Sequence, residues 1–171
     1  MEKELLIFDL NIQASFFYEE FEFPKDKLNE FKSSIKRTMR ALNQINSFDE
    51  NIVLNINLCS AKTITNLNKE YRHKEKETDV LSFPLQEDYR SHLYDSFDGS
   101  VELGDIFICD EVCHSQALEH KIEYFDEFIH LLVHGVLHLL GYDHEAGAKE
   151  EELMQNLESK IIDHISKNDN Q

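Results

Sequence analysis

A chain of 171 residues, 41% of them hydrophobic, is long enough to bury one core, and we expect a single domain over residues 1–171. No apolar stretch approaches the ~20 residues of a membrane span, and three cysteines without a disulfide-like spacing predict a reducing, cytoplasmic compartment. The net charge of −17 excludes generic attraction to nucleic acid or to anionic membranes but leaves room for a local basic site.

The first fifty residues predict one strand and one helix. Residues 4–12 have the apolar character of a strand, and an acidic and aromatic connector from Glu19 to Pro24 follows. Beyond Pro24, apolar side chains recur close to the 3.6-residue period of a helix. These positions are Leu28, Phe31, Ile35, Met39 and Leu42. A helix with one buried face is therefore expected there.

The middle of the chain predicts a strand, a helix and a second strand. Residues 51–58 alternate apolar and polar side chains, as a half-buried strand does. Ser60 can cap the following helix, 61–71. The inner face of that helix is expected to carry Ile64, Leu67 and Tyr71. The short strand 80–83 should end at Pro84 or lie at a sheet edge, because proline lacks the N–H that a central strand needs.

The last part of the chain predicts one strand and three helices. A polar loop or irregular hairpin over 86–103 precedes a strand at 104–109. The helices are expected at about 110–118, 123–140 and 148–166. The second is apolar nearly all round, which is typical of a buried helix. The last should bury Leu153, Leu157, Ile161 and Ile165. The whole order predicts an α+β fold in which a small mixed sheet packs against several helices.

Three histidines at the end of the buried helix are the most informative feature of the sequence. His134 and His138 lie one helical turn apart, so both imidazoles leave the same face. Gly141 favours the left-handed conformation that ends a helix, and the turn can bring His144 back to the same point. Three imidazoles leave one position of a tetrahedral zinc open, which is typical of a catalytic site. We therefore predict zinc at these histidines, with nickel or another divalent metal also able to bind.

Such a site suits hydrolysis, because zinc lowers the pKa of bound water to about 7. The histidine spacing resembles that of the metzincin proteases, but Gly135 stands where those enzymes carry a glutamate base, although Asp143, next to His144, could supply a carboxylate. A phosphodiester instead needs a cation against its developing negative charge. Arg72, within the basic segment 69–76, is the candidate, and a surface ion pair is the alternative role for it.

The remaining histidines and the cysteines are predicted to be structural. His130 lies one turn before His134, but a fourth ligand would close the open position of the metal. We therefore expect His130 to pack or to support a ligand. Cys109 and Cys113 lack the spacing of a common zinc knuckle and are expected to be buried free thiols.

Four blocks of the sequence resemble the YbeY family of bacterial metal-dependent endoribonucleases. They are Tyr71-Arg72, residues 78–84, residues 103–106 and the histidine run 134–144, in the family's order over about residues 50–145. The resemblance implies a zincin-like α+β fold, zinc at the three histidines and a functional Arg72. It also implies a single-stranded RNA substrate, maturation of small-subunit (16S) ribosomal RNA, ribosome quality control, and the ribosome or its small-subunit proteins as partners. Glu77 departs from the proline that family members usually have there, which should loosen that loop.

Two other functions stay open at this point. The histidine spacing also suits a metzincin-like metalloprotease. A non-catalytic ribosome-assembly factor with a structural zinc would suit the acidic surface, which could meet basic ribosomal proteins. The strand at 80–83 likewise allows two interpretations, core packing or an exposed edge that receives an extended substrate.

Overall fold

The computed structural model describes residues 3–19 and 25–168, and within them five strands form one mixed sheet. The strands are β1 (Lys3–Asp9), β2 (Ile12–Tyr18), β3 (Asn51–Cys59), β4 (Val80–Pro84) and β5 (Ser100–Cys109). The helices are α1 (Lys25–Asn46), α2 (Ala61–Arg72), α3 (Asp110–His120), α4 (Tyr124–Leu139) and α5 (Ala148–Asn168), with a 3-10 turn at His144–Ala146. The sheet order is β1-β2-β3-β5-β4, with β2, β3 and β5 parallel and both edge strands antiparallel to their neighbours.

The N-terminal strand is shorter than predicted, because the chain reverses inside the expected range of 4–12. Leu10 has a positive φ of 54°, and β1 and β2 form an antiparallel hairpin around it. The Asn11 side-chain nitrogen donates hydrogen bonds to the carbonyl oxygens of Phe48, at 2.9 Å, and Glu50, at 2.7 Å. These bonds fix the turn against a distant loop, which the local pattern could not indicate. Residues 20–24 of the expected connector lie outside the described residues.

The main core lies between one face of the sheet and helices α1, α4 and α5. The apolar side chains of β3 alternate as predicted, and Ile52, Leu54, Ile56 and Leu58 are buried. The apolar face predicted for α1 is confirmed by the burial of Phe31, Ile35, Met39 and Leu42. Helix α4 is buried along most of its length, also as predicted. Phe31 and Phe128 join α1 to α4 with ring centroids 4.9 Å apart.

Helix α2 covers the opposite face of the sheet with a smaller apolar cluster. Ser60 caps it as predicted, and Ile64 packs with Leu81 and Cys109. The prediction for Tyr71 was wrong: it is 59% exposed, because the edge strand covers only one side of its ring, through Phe83. The polar Asn68 is buried instead, and its side-chain nitrogen donates to the Lys76 carbonyl oxygen at 2.8 Å.

Strand β4 is an edge strand and ends at Pro84, as predicted. Strand β5 begins at Ser100, four residues before the expected start. In α5 the first predicted inner residue was wrong, since Leu153 is 43% exposed and Met154 is buried in its place. Among the described residues, none of the helices has both the length and the apolar character that crossing a bilayer requires.

Candidate metal centre

The last turns of α4 and the bend beyond them bring the three predicted histidines together. His134 and His138 place their Nε2 atoms 3.1 Å apart. His144 returns to the same point, so that one nitrogen of each ring lies within 4.8 Å of the others. Within the described parts of the chain, no other group of three histidine, cysteine or carboxylate side chains converges in this way. Gly141 has the positive φ, 95°, that the sequence predicted for the turn.

The bend that returns His144 is held from two sides. A Cβ at Gly141 would lie 2.5 Å from Asp88 Oδ1, so the loop packs directly against the glycine. Arg90 donates to the Gly141 carbonyl oxygen at 3.2 Å and to Glu150 at 2.7 Å, and its guanidinium lies 4.2 Å from the ring centre of Tyr142. The loop between β4 and β5 and the start of α5 therefore fix the direction of the chain before His144.

The surroundings of His138 favour its neutral form. Burial, with smaller contributions from the rings of His134 and His144, lowers the pKa of His138 to about 4. Nδ1 of His144 is buried and has no hydrogen-bond partner among the described residues. Buried polar nitrogens normally have a partner. Three imidazoles that face one point offer a donor set that fits a divalent metal.

Glu158 is a member of the site that the sequence analysis missed. Its Oε1 lies 2.6 Å from Nδ1 of His134, and its side chain is 13% exposed. Glu158 lies on α5, between the buried Met154 and Ile161. An acidic residue within the apolar stripe of an amphipathic helix is the signal that could have found it. The contact directs Nε2 of His134 towards His138, because the carboxylate occupies the other ring nitrogen.

A groove of about 820 Å³ joins the histidine cluster to Arg72. Arg72 is the last residue of α2 and lines this groove together with the edge strand β4. Its Nη2 lies 3.4 Å from Glu145 Oε1, and both side chains are largely exposed. Such a pair contributes little stability. The structure shows the ion pair that was the alternative role for Arg72 and places Arg72 in the lining of the groove that contains the histidines.

Two carboxylates also line the groove. Asp143 starts the 3-10 turn by accepting a hydrogen bond from the Glu145 backbone at 2.9 Å. Burial raises the pKa of Asp79, but hydrogen bonds from the Gln116 side chain and the Val80 backbone outweigh burial and lower it overall. Asp79 is therefore an ionised structural acceptor that holds the start of β4.

Position 135 has no room for the glutamate of a protease. A Cβ at Gly135 would lie 2.8 Å from Ile106 Cγ2 and 3.3 Å from Ser82 Oγ. The Ser82 hydroxyl donates to the Gly135 carbonyl oxygen at 3.1 Å, which holds α4 close to β4. A longer side chain would force the helix away from the sheet.

The structure confirms that the cysteines are buried free thiols and places His130 outside the converging group, whereas the expected role of His130 in packing or in supporting a ligand stays a prediction. His130 is 45% exposed and lies 3.7 Å from Glu127, outside the converging group. The three cysteines are free and buried. Burial raises the pKa of Cys113 to about 12 and that of Cys109 to about 11, so these thiols stay protonated.

Comparison with known proteins identifies the family. The family model described as Endoribonuclease YbeY matches residues 19–166. The chain belongs to the YbeY family. A relative named Endoribonuclease YbeY from Persephonella marina is 37% identical over 134 residues, covering 78% of this chain and 80% of the relative. A relative of the same name from Acinetobacter baumannii is 38% identical over 153 residues, covering 90% of each chain.

A solved structure supports the fold. The solution structure of TM1509 from Thermotoga maritima is 25% identical and superposes with a TM-score of 0.54, covering 90% of this chain and 88% of that one. The expected α+β fold is confirmed, and its zincin-like character agrees with membership of the YbeY family. The resemblance drawn from the four sequence blocks is confirmed as well.

Proposed function

We propose that this protein is a zinc-dependent endoribonuclease that cleaves single-stranded ribosomal RNA. In this proposal it acts in maturation of small-subunit (16S) RNA and in ribosome quality control. The proposal rests on one observation above all: three imidazoles converge in a groove whose other side carries Arg72. The names of the relatives support the reaction type.

His134, His138 and His144 would hold one divalent cation. Zinc suits three imidazoles, and nickel or another divalent metal would also bind in vitro. When bound, the cation polarises the phosphate and activates water. The low pKa of His138, about 4, keeps that imidazole neutral and available at neutral pH.

Arg72 would bind the phosphate that is cut. Its exposed pair with Glu145 is long, at 3.4 Å, so a phosphate can replace the carboxylate at small cost. A planar guanidinium can donate two parallel hydrogen bonds to phosphate oxygens. These bonds strengthen as negative charge grows on those oxygens in the transition state.

The packing of Gly135 favours RNA over peptide as the substrate. The protease mechanism needs a carboxylate directly after the first histidine. Ile106 and Ser82 fill the space that its side chain would require. The net charge of −17 supports ribosomal proteins as partners, since these would present complementary basic surfaces.

Cleavage of a defined single-stranded RNA from the small subunit tests the proposal. Wild type, His134→Ala and Arg72→Ala are compared after each is verified as folded, with metal content measured by elemental analysis. His134→Ala should lose metal and cleavage together. Arg72→Ala should keep its metal and cleave about 100-fold more slowly. Equal cleavage by all three would identify a contaminating nuclease and overturn the proposal.

Two further assays separate the alternative functions. A panel of unstructured proteins, incubated with the zinc-loaded protein, should stay intact under conditions in which RNA is cut. In a strain that lacks the gene for this protein, restoring correctly processed ribosomal RNA ends should require a protein that carries Arg72. Full rescue by the folded Arg72→Ala variant would favour a non-catalytic assembly factor.

A further inference from the structure

An exposed aromatic ring lies directly beside Arg72 in the groove. Tyr71 is 59% exposed, although it occupies the last turn of α2. Its ring meets Phe83 of the edge strand edge-on, with centroids 5.1 Å apart and planes at 68°. Phe83 packs in turn against Phe107, with centroids 5.7 Å apart. The sheet therefore holds the Tyr71 ring in place from one side and leaves more than half of the side chain open.

The charges of the groove make electrostatic attraction a weak source of RNA affinity. Of the described residues that line it, Arg72 is the one lysine or arginine. Asp79, Asp143 and Glu145 line the same groove. The chain as a whole carries −17. Most RNA-binding surfaces gain affinity from many phosphate contacts, and this groove offers few. Arg72 and the cation at the histidines would account for about one phosphate, so the rest of the strand needs a contact that does not depend on its charge.

Stacking of bases on aromatic rings is independent of phosphate charge. Each stacked base contributes a factor of about 5 to 150 in affinity, and every nucleobase has a suitable face. A base within a duplex is already stacked between its neighbours, so it cannot reach an external ring without unpairing. A stacking ring next to the phosphate-binding arginine would therefore select unpaired strands.

We propose that Tyr71, braced by Phe83, is a nucleobase subsite that stacks one unpaired base of the RNA while Arg72 holds a neighbouring phosphate. This inference rests on the proposed function, since it names how the same groove recognises its substrate. The subsite makes the groove specific for single strands without requiring a basic surface.

Fluorescence anisotropy with a short labelled single-stranded RNA tests the subsite. Tyr71→Leu removes the ring and should weaken binding about tenfold, whereas Tyr71→Phe keeps the ring and should bind within about twofold of wild type. Phe97→Leu is the matched control, because Phe97 is 88% exposed but does not line the groove. It should bind as wild type does. Circular dichroism and metal content verify that each variant is folded and loaded.

Removing single bases from the RNA locates the stacked nucleotide. In wild type, an abasic nucleotide at one position should weaken binding about as much as Tyr71→Leu does. The same abasic RNA should lose no further affinity with Tyr71→Leu, because the partner ring is already gone. Wild-type affinity should also depend weakly on salt, as expected for about one phosphate contact.

The outcomes separate this inference from the proposed function. If wild type cleaves RNA and Tyr71→Leu binds it equally well, the subsite is overturned and the nuclease stands. Equal weakening by Tyr71→Phe and Tyr71→Leu would assign the effect to the hydroxyl group and would also overturn stacking. A wild-type protein that neither binds nor cleaves RNA would overturn both proposals.

Discussion

Histidine and glutamate side chains meet near both ends of helix α4, where α3 or α5 also contributes, and the two clusters are built in opposite ways. In the N-terminal cluster (His120, Glu127 and His130), the carboxylate lies in the middle. Glu127 is 1% exposed, with His120 Nδ1 at 2.9 Å and His130 Nδ1 at 3.7 Å. In the metal-site cluster (His134, His138, His144 and Glu158), the imidazoles lie in the middle and the carboxylate lies outside.

This difference decides which cation each cluster favours. A carboxylate beside an imidazole favours the protonated ring, and the hydrogen bond to Glu127 accordingly raises the pKa of His120. Imidazoles that face one another disfavour protons, because a second positive charge would lie too close. The pKa of His138 is lowered to about 4, mainly by burial and then by the neighbouring rings. The carboxylate-centred cluster thus raises the pKa of one histidine, whereas the imidazole-centred cluster lowers the pKa of another and would bind a metal.

The largest expected effect is a loss of zinc when a histidine of the metal-site cluster is replaced, with no loss when a histidine of the N-terminal cluster is replaced. His138→Ala removes one of three converging donors, and we expect the affinity for zinc to fall by more than about 100-fold. His130→Ala is the matched control on the same helix, two turns earlier, and should leave the affinity unchanged. Elemental analysis after dialysis and competition with a zinc indicator measure both variants. Zinc loss from His130→Ala to the same extent would show that the two clusters are not distinct.

A smaller effect is expected from the carboxylate that lies outside the metal-site cluster. Glu158→Gln keeps the shape of the side chain but weakens its hydrogen bond to His134. The affinity for zinc should fall by about 10- to 100-fold, the usual cost of losing a group that orients a metal ligand. Competition titration against a chelator measures this change.

Glu152→Gln provides the control for that substitution. Glu152 lies on the same helix and is exposed. Its replacement should leave zinc affinity unchanged while making the same change in net charge. If both variants bind zinc equally well, Glu158 does not position His134.

The features that could be predicted from the sequence are those that depend mainly on residues close together along the chain. The spacing of His134 and His138 needs only a helix, and the position of the bend before His144 is marked by a glycine with a positive φ, although distant contacts of Asp88 and Arg90 hold its direction. The alternation of β3 likewise depends on one strand having one buried face. These local requirements leave a readable pattern, so the histidine cluster could be located before the fold was known.

Features that depend on distant contacts were missed. The contact between Glu158 and His134 forms only when α5 docks against α4, 24 positions along the chain. Tyr71 continues the apolar period of α2, but Phe83 of the edge strand covers only one side of its ring. The reversal at Leu10 is held by loop carbonyls 37 and 39 positions after Asn11. Periodicity within one element contains no information about such partners.

The smallest expected effect is a pH dependence of stability from the N-terminal cluster. The pKa of His120 is raised in the folded protein by its hydrogen bond to Glu127, from an ordinary value of 6.5. A raised folded-state pKa means that the folded protein binds the proton more tightly than the unfolded chain. The stabilisation is therefore fully present below that ordinary pKa and is lost as the pH rises through the raised value. Urea unfolding of the metal-free protein from about pH 6 to about pH 8 measures the loss.

His120→Gln should flatten this pH dependence, because glutamine can hydrogen-bond to Glu127 but cannot take up a proton. His114→Gln is the control: His114 packs on the Tyr124 ring, with centroids 4.6 Å apart, so its loss can lower stability without removing the contact to Glu127. An unchanged slope in His120→Gln would mean that Glu127 does not retain a proton on His120. In that case the N-terminal cluster would have no measurable effect on proton binding. Only the metal-site cluster would then show that the arrangement of histidine and carboxylate decides which cation binds.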